Sequence, residues 1–269
     1  MNKMNKEQKI IFLSTGILTL GIISSNIKIG YGYTKNYKDF RNDNLSNTTI
    51  TEIIYNTTQE VNKGPMRNSG KVAYITIDDG PSKYTDKIIE ILDKYNAKGT
   101  FFLIDRNMKN YPEQVKNIVE SGNTAGFHSV SHDIHKLYKK SISAKEEFDI
   151  NRKTFYDITG QESSLVRLPY GSKPYTPSES YKALVDANYK VWDWNVDTED
   201  WKSDANKILE NVKTYSSNED DIVVLIHEKR QTVEALDKVL KYLSEQGYEL
   251  LPISQNQNPK NFWIGNLYK

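Results

Sequence analysis

The chain has 269 residues, with 36 Lys and Arg against 35 Asp and Glu, a formal net charge of +1, and no cysteine. A balance this close to zero leaves no electrostatic footprint for nucleic acid. Without cysteine there are no disulfides or thiolate metal sites, so any metal must be held by His, Asp or Glu. The length suits one large α/β domain with additions.

Residues 1–32 read as an export segment. Lys3, Lys6 and Lys9 precede an apolar run from Ile10 to Ile23, which gives a basic region followed by an apolar one of signal-peptide length. Gly30 and Gly32 are the small residues before a cleavage site in this reading. Stretched to Ile27, the run approaches the roughly 20 residues that span a bilayer, so an uncleaved membrane anchor is the alternative. A buried core helix is disfavoured by the basic N-terminal context. Residues 33–69 are polar and rich in Asn and Thr, and end at Gly64-Pro65. They read as a linker or stalk, with one short ordered piece over Ile50–Val61.

From residue 71 the pattern alternates. Lys71 to Ile77 is a β-branched, apolar strand bounded by Gly70 and Gly80-Pro81. A helix over 84–96 follows, with Ile88, Ile91, Leu92 and Tyr95 on one face. Residues 99–104 form a buried strand. Pro112 opens a helix to 120, closed by Gly122. Strands are expected at 124–127, 164–168, 189–194, 221–226 and 248–251. Helices are expected at 143–158, 177–187, 204–215 and 231–246. Strand and helix in alternation imply a parallel sheet, and this many units suggest an α/β barrel. The tail 254–269 is polar apart from Phe262-Trp263, which can pack back on the body.

Ligands of parallel α/β folds bind at the carboxyl ends of strands, so the residues following each strand are the informative ones. Asp78 and Asp79 follow the first. Side chains alternate along a strand, so both carboxylates reach one pocket only where the backbone turns. Two close carboxylates also call for a nearby metal, Arg or proton; a solvated Asp-Asp-Gly-Pro turn is the plain alternative. His128-Ser129-Val130-Ser131-His132 follows the third strand. Four residues apart on a helical turn, the two imidazoles would face the same way. With one Asp they would make the three-ligand set of a catalytic zinc site. His135 reads as surface or as support behind the pair. Arg167 is a donor fork for the Asp left off the metal, or an ordinary salt-bridging residue. Pro169 and Gly171 shape a turn around Tyr170, whose backbone N–H can face an oxyanion. Trp192 reads as core and Trp201, in a polar loop, as a pocket wall. His227 ends the strand 221–226, close in the chain pattern to Asp200, as a general acid or as a structural His.

Taken together, Thr76-Ile77-Asp78-Asp79-Gly80-Pro81, His128-Ser129-Val130-Ser131-His132, Arg167-Leu168-Pro169-Tyr170, Asp197-Thr198-Glu199-Asp200-Trp201 and Leu225-Ile226-His227 resemble, in order, the motifs of the polysaccharide deacetylases of the NodB-homology type, carbohydrate esterase family four. The resemblance covers about residues 70–252. It implies a distorted (β/α) barrel and a divalent metal, zinc or alternatively cobalt, bound by Asp79, His128 and His132. It further implies Asp78 as general base oriented by Arg167, the Tyr170 N–H at the oxyanion, and His227 as general acid tuned by Asp200. Trp201 and Leu225 would wall the acetyl pocket. Two positions depart from the family: Ile77, where Phe is frequent, and Glu228, where Asp is common. The expected organisation is thus a signal peptide or anchor (1–32), a stalk (33–69), a catalytic domain (70–253) and a C-terminal tail (254–269). Such a protein would be exported, secreted or anchored at the extracellular face, with membrane contact through an uncleaved N-terminal segment. It would remove N-acetyl groups from N-acetylglucosamine of peptidoglycan. The rival readings are a deacetylase of muramic residues, chitin oligomers or exopolysaccharide, and a wall-binding protein that no longer catalyses.

Overall fold

The structure is a computed structural model that describes residues 70–267. The export segment and the stalk lie outside the described residues. Within them, no helix is long and apolar enough to cross a membrane.

The elements are β1 (Val72–Gly80), α1 (Thr85–Lys94), β2 (Thr100–Leu103), α2 (Asp105–Asn110), α3 (Pro112–Glu120), β3 (Thr124–Phe127), α4 (Ile134–Leu137), α5 (Ser143–Thr159), β4 (Leu165–Val166), α6 (Ser178–Asp186), β5 (Lys190–Val191), β6 (Val196–Asp197), α7 (Ala205–Ser216), β7 (Asp221–His227), α8 (Arg230–Glu245) and β8 (Glu249–Leu251). All strand pairs are parallel, in the order β5-β4-β3-β2-β1-β7-β6. β8 pairs with Val72–Tyr74 of β1, while β2 pairs with Thr76–Gly80. β5 and β6 do not pair with each other, so the curled sheet is a barrel open on one side, the distorted α/β barrel expected.

Alternation along the strands sorts the residues into two layers. Ala73, Ile75 and Ile77 of β1, Phe101 and Leu103 of β2, and Ile222, Val224 and Ile226 of β7 face outward into the main core under the helices. α1 supplies Ile88, Ile91 and Leu92 to that core, and α8 supplies Leu236, Val239, Leu240 and Leu243. Both sets recur at three- and four-residue spacing, as an amphipathic helix requires. α5 stops at Gly160, whose φ of 68° is the left-handed cap glycine supplies without strain. The inward layer holds Val72, Tyr74, Phe102, Leu165, Trp192 and Val223.

The tail is part of this inward layer. Leu267 is buried in it beside Ile253, the residue just before the tail, and Phe262 packs against it. Asn261 Nδ2 donates to Val191 O (2.9 Å), and Asp193 N donates to Lys260 O (2.9 Å). These bonds cover the free edge at β5 that the open barrel leaves.

β4 and β5 are shorter than the strands expected at 164–168 and 189–194. Just past β5, the carbonyls of Trp192 and Asp193 accept hydrogen bonds from Arg167. α2, α4 and β6 carry no sequence signal of their own, being six, four and two residues long.

Candidate active site

The site lies at the carboxyl end of the sheet. Thr76 and Asp78 continue the inward layer of β1. Asp79 would point outward, but its φ is 69°, so alternation breaks there and both carboxylates turn into one pocket. Gly80, next along, lies against Glu228: a Cβ on it would overlap Glu228 Oε1.

Arg167, from the end of β4, is fully buried. It donates from Nη1 to Asp78 Oδ1 (3.0 Å) and Thr76 Oγ1 (2.6 Å), from Nε to Trp192 O (3.1 Å) and from Nη2 to Asp193 O (3.1 Å). Its guanidinium lies 4.4 Å from the Phe102 ring centroid. The buried Asp78 carboxylate thus faces a cation held by three further hydrogen bonds, an arrangement that suits a charge pair in an apolar interior.

His128 is buried, and its Nδ1 lies 2.8 Å from Arg167 O. A carbonyl only accepts, so Nδ1 carries the proton and Nε2 presents a lone pair. That Nε2 is 3.7 Å from both Asp78 Oδ2 and Asp79 Oδ1, and His132 Nε2 is 3.5 Å from Asp79 Oδ1. These separations exceed hydrogen-bond length. Asp79, His128 and His132 each offer a ligand atom, all within 4.8 Å of one another. Asp79 Oδ1 is buried with no hydrogen-bond partner. A buried carboxylate oxygen left bare opposite two imidazoles fits a divalent cation, and the one-oxygen, two-nitrogen set suits zinc.

The electrostatics agree. Burial works against the charge on Asp79, but His128, His227, His132 and Lys229 outweigh it and hold its carboxyl below its ordinary value. Burial and the neighbouring His128 depress His132, which favours the neutral imidazole a metal needs.

The histidine pair is not on a helical turn. Residues 128–133 form an irregular loop in which Ser129 (φ 70°) and His132 (φ 50°) are both left-handed, and Ser129 Oγ accepts from His132 N (2.9 Å). The two rings nevertheless meet, 4.9 Å apart.

His227 lies across β1 from this group, paired in register with Asp78. Its Nδ1 is 2.7 Å from Asp200 Oδ1, and its backbone N–H donates to Asp200 Oδ2 (2.7 Å), which also accepts from Thr232 Oγ1. Burial opposes a proton on His227, but the bond and charge of Asp200, helped by Asp78 and Asp79, outweigh it and raise its pKa. Leu225 is buried on the same inward row of β7. Trp201, next to Asp200, is largely exposed. Tyr170 has φ 66° and an exposed ring, and no protein group among the described residues accepts from its N–H. Beside it opens a cleft of about 490 Å³ lined by His132, Asp133, Ile134, His135, Tyr170 and Tyr175.

The sequence reading missed Thr76 and the partner of Glu228. Thr76 shares the inward row with Asp78, so alternation could have found it. Glu228 accepts from Ser82 Oγ and Thr85 Oγ1 at the start of α1, and burial, against those bonds, pushes its carboxyl up to about 7. No local signal links it to residues some 145 positions earlier.

The sequence profile described as polysaccharide deacetylase matches residues 66–192. A peptidoglycan-N-acetylglucosamine deacetylase of Bacillus cereus is 36% identical over 219 residues, covering 77% of this chain and 80% of the relative. The peptidoglycan-N-acetylmuramic acid deacetylase PdaC of Bacillus subtilis is 33% identical over 195 residues, 71% of this chain and 39% of that longer protein. The crystal structure of the polysaccharide deacetylase Bc1974 from Bacillus cereus superposes with a TM-score of 0.70 at 37% identity, covering 74% of this chain and all of that one.

Proposed function

Because this chain belongs to the polysaccharide deacetylase family, we propose that it is a divalent-metal hydrolase that removes N-acetyl groups from N-acetylglucosamine of peptidoglycan. One observation carries the reading. The Asp79–His128–His132 group is flanked by two separately tuned proton-transfer groups, Asp78 held by Arg167 and His227 held by Asp200.

A metal bound by Asp79, His128 and His132 supplies Lewis acidity toward the amide carbonyl and the attacking water. The chain supplies the rest. Asp78 accepts the proton of the water as it adds to the carbonyl carbon. Arg167 aims Asp78 through the Nη1 hydrogen bond to Oδ1. The free Tyr170 N–H donates to the oxyanion that develops on the carbonyl oxygen. His227, protonated with the help of Asp200, gives its Nε2 proton to the leaving nitrogen, so that the C–N bond breaks to an amine rather than an amide anion. The products are acetate and the free amino sugar. Leu225 and Trp201 border the acetyl methyl group.

On the same reading, residues 1–32 export the chain, residues 33–69 tether it and the barrel acts outside the membrane. The basic and apolar pattern of the N-terminus and the wall-acting relatives support this.

The protein incubated with purified peptidoglycan is expected to release acetate and leave glucosamine in the hydrolysed glycan, with muramic acid still acetylated. The likeness to PdaC favours muramic residues as the second reading, and free muramic amine in place of glucosamine would establish it. No acetate from wall, chitin oligomers or exopolysaccharide by metal-loaded protein would refute catalysis.

A further inference from the structure

We propose that the polar stripe Glu147, Asn151 and Thr154 of α5 positions the histidine loop, and so determines metal affinity. The proposal rests on the reading of Asp79, His128 and His132 as the metal centre.

The loop needs an external brace. It places two residues with side chains, Ser129 and His132, at positive φ, which L-residues adopt only when their surroundings impose it. The brace comes from α5. Val130 N and Ser131 N, successive backbone donors, both point at Glu147 Oε2, at 2.9 and 2.8 Å. Ser131 Oγ donates to Glu147 Oε1 at 2.7 Å. Successive N–H groups converging on one acceptor form an anion-binding concavity, and here the anion is the helix's own carboxylate. Among the described residues Glu147 has no Lys or Arg partner, so its charge is directed wholly at the loop.

The rest of the stripe holds the loop's other side. Asn151 is fully buried and donates from Nδ2 to Ser129 O (3.1 Å) and to Leu103 O at the end of β2 (3.2 Å). Thr154 Oγ1 donates to Asp105 Oδ1 (2.6 Å), and Asp105 N donates to the same Ser129 O (3.2 Å). Positions 147, 151 and 154 are one face of a helix. That face is held in place because Ala144, Phe148 and Phe155 of α5 are buried in the main core. Every carbonyl, amide and hydroxyl in this set lies between His128 and His132 or supports a residue that does. The stripe touches neither imidazole; it acts through the loop backbone.

The experiment is cobalt binding to the full chain by chelator competition, with the visible spectrum of the cobalt form as a second readout. In Glu147→Gln one of the two acceptor oxygens becomes a donor facing donors. Partners of metal-ligating groups typically contribute 10–100-fold to affinity, and a weakening of that order with an altered ligand-field spectrum is expected. The metal-free unfolding midpoint should stay near wild type. Ser131→Ala removes the hydroxyl's bonds to Glu147 and its acceptance from Asp133 N but keeps both backbone donors on Glu147, so it should fold and lose affinity by a smaller factor. Asp149→Asn is the control. It sits on the same helix but bonds Tyr189 Oη and Lys145 Nζ, not the loop, so cobalt affinity should hold. Cobalt binding and spectra unchanged in both Glu147→Gln and Ser131→Ala would overturn the proposal, as would an equal loss in Asp149→Asn. Wild-type protein that binds no cobalt would instead overturn the metal-centre reading itself, and the proposal with it.

Discussion

Replacing Arg167 by Met tests how the barrel tolerates a charge in its interior. Met keeps much of the side-chain length but removes all four donated hydrogen bonds. Asp78, 2% exposed, is then left without the cation that faces it at 3.0 Å. Two buried carbonyls, Trp192 O and Asp193 O, lose the donors that hold them. Removing one member of a buried ion pair costs about 3–5 kcal/mol, most of it the uncompensated partner. That is a large share of the ~5–15 kcal/mol that holds a domain folded. A second expectation concerns the double variant. Asp78→Asn in the Arg167→Met background removes the stranded charge and should recover on the order of 1.5 kcal/mol or more, a coupling expected of residues in contact. Urea unfolding of the four proteins in the cycle, under chelator, measures it. A loss below about 1 kcal/mol for Arg167→Met, or a double variant that falls by the full sum of both singles, would refute the account.

Asp79→Ala should lose both metal and activity, whereas Asp78→Asn should keep metal and lose turnover; equal metal loss in both, read by metal analysis, would reverse that division. Activity should fall as pH rises through the elevated pKa of His227, because the neutral imidazole cannot protonate the leaving amine. Asp200→Asn removes the main group that raises that pKa, so the falling limb of the pH–rate profile should move to lower pH, and an unmoved limb would exclude His227 as the acid. Glu228, pushed up to about 7 by burial, binds a proton more readily folded than unfolded. Its contribution to stability is full below its unfolded pKa and is lost as pH rises to about 7, so Glu228→Gln should flatten the decline in unfolding midpoint between pH 4.5 and about 7. Gly80→Ala places a methyl group on Glu228 Oε1 and should destabilise by about 1–3 kcal/mol, with Glu228→Ala relieving the clash in thermal unfolding.

What the sequence by itself determined was local. Strand and helix alternated legibly because each side chain's face follows from its position in a period of two or 3.6. The absence of cysteine restricted a metal to His, Asp or Glu, and a break in alternation at the strand end was needed for Asp78 and Asp79 to share a pocket; the structure has Asp79 at φ 69°, at the end of β1. The residue types at five strand ends were also readable, because parallel sheets put function there. Only the tertiary structure decided how those ends meet. The order β3-β2-β1-β7 sets His128 and His227 on opposite sides of the carboxylates, and no periodicity encodes strand order. Arg167 is satisfied by the carbonyls of Trp192 and Asp193, where the strand leaves its ladder. The histidine loop takes left-handed turns rather than helix because Glu147 and Asn151 brace it from α5. The sequence offered only Phe262-Trp263 as the means by which the tail packs back, since its few apolar residues show no period, whereas the structure also buries Leu267 in the inward layer. The deciding contacts lie far apart in the chain, the shortest of them 16 residues, and they form only once the sheet has curled and the helices have packed on it.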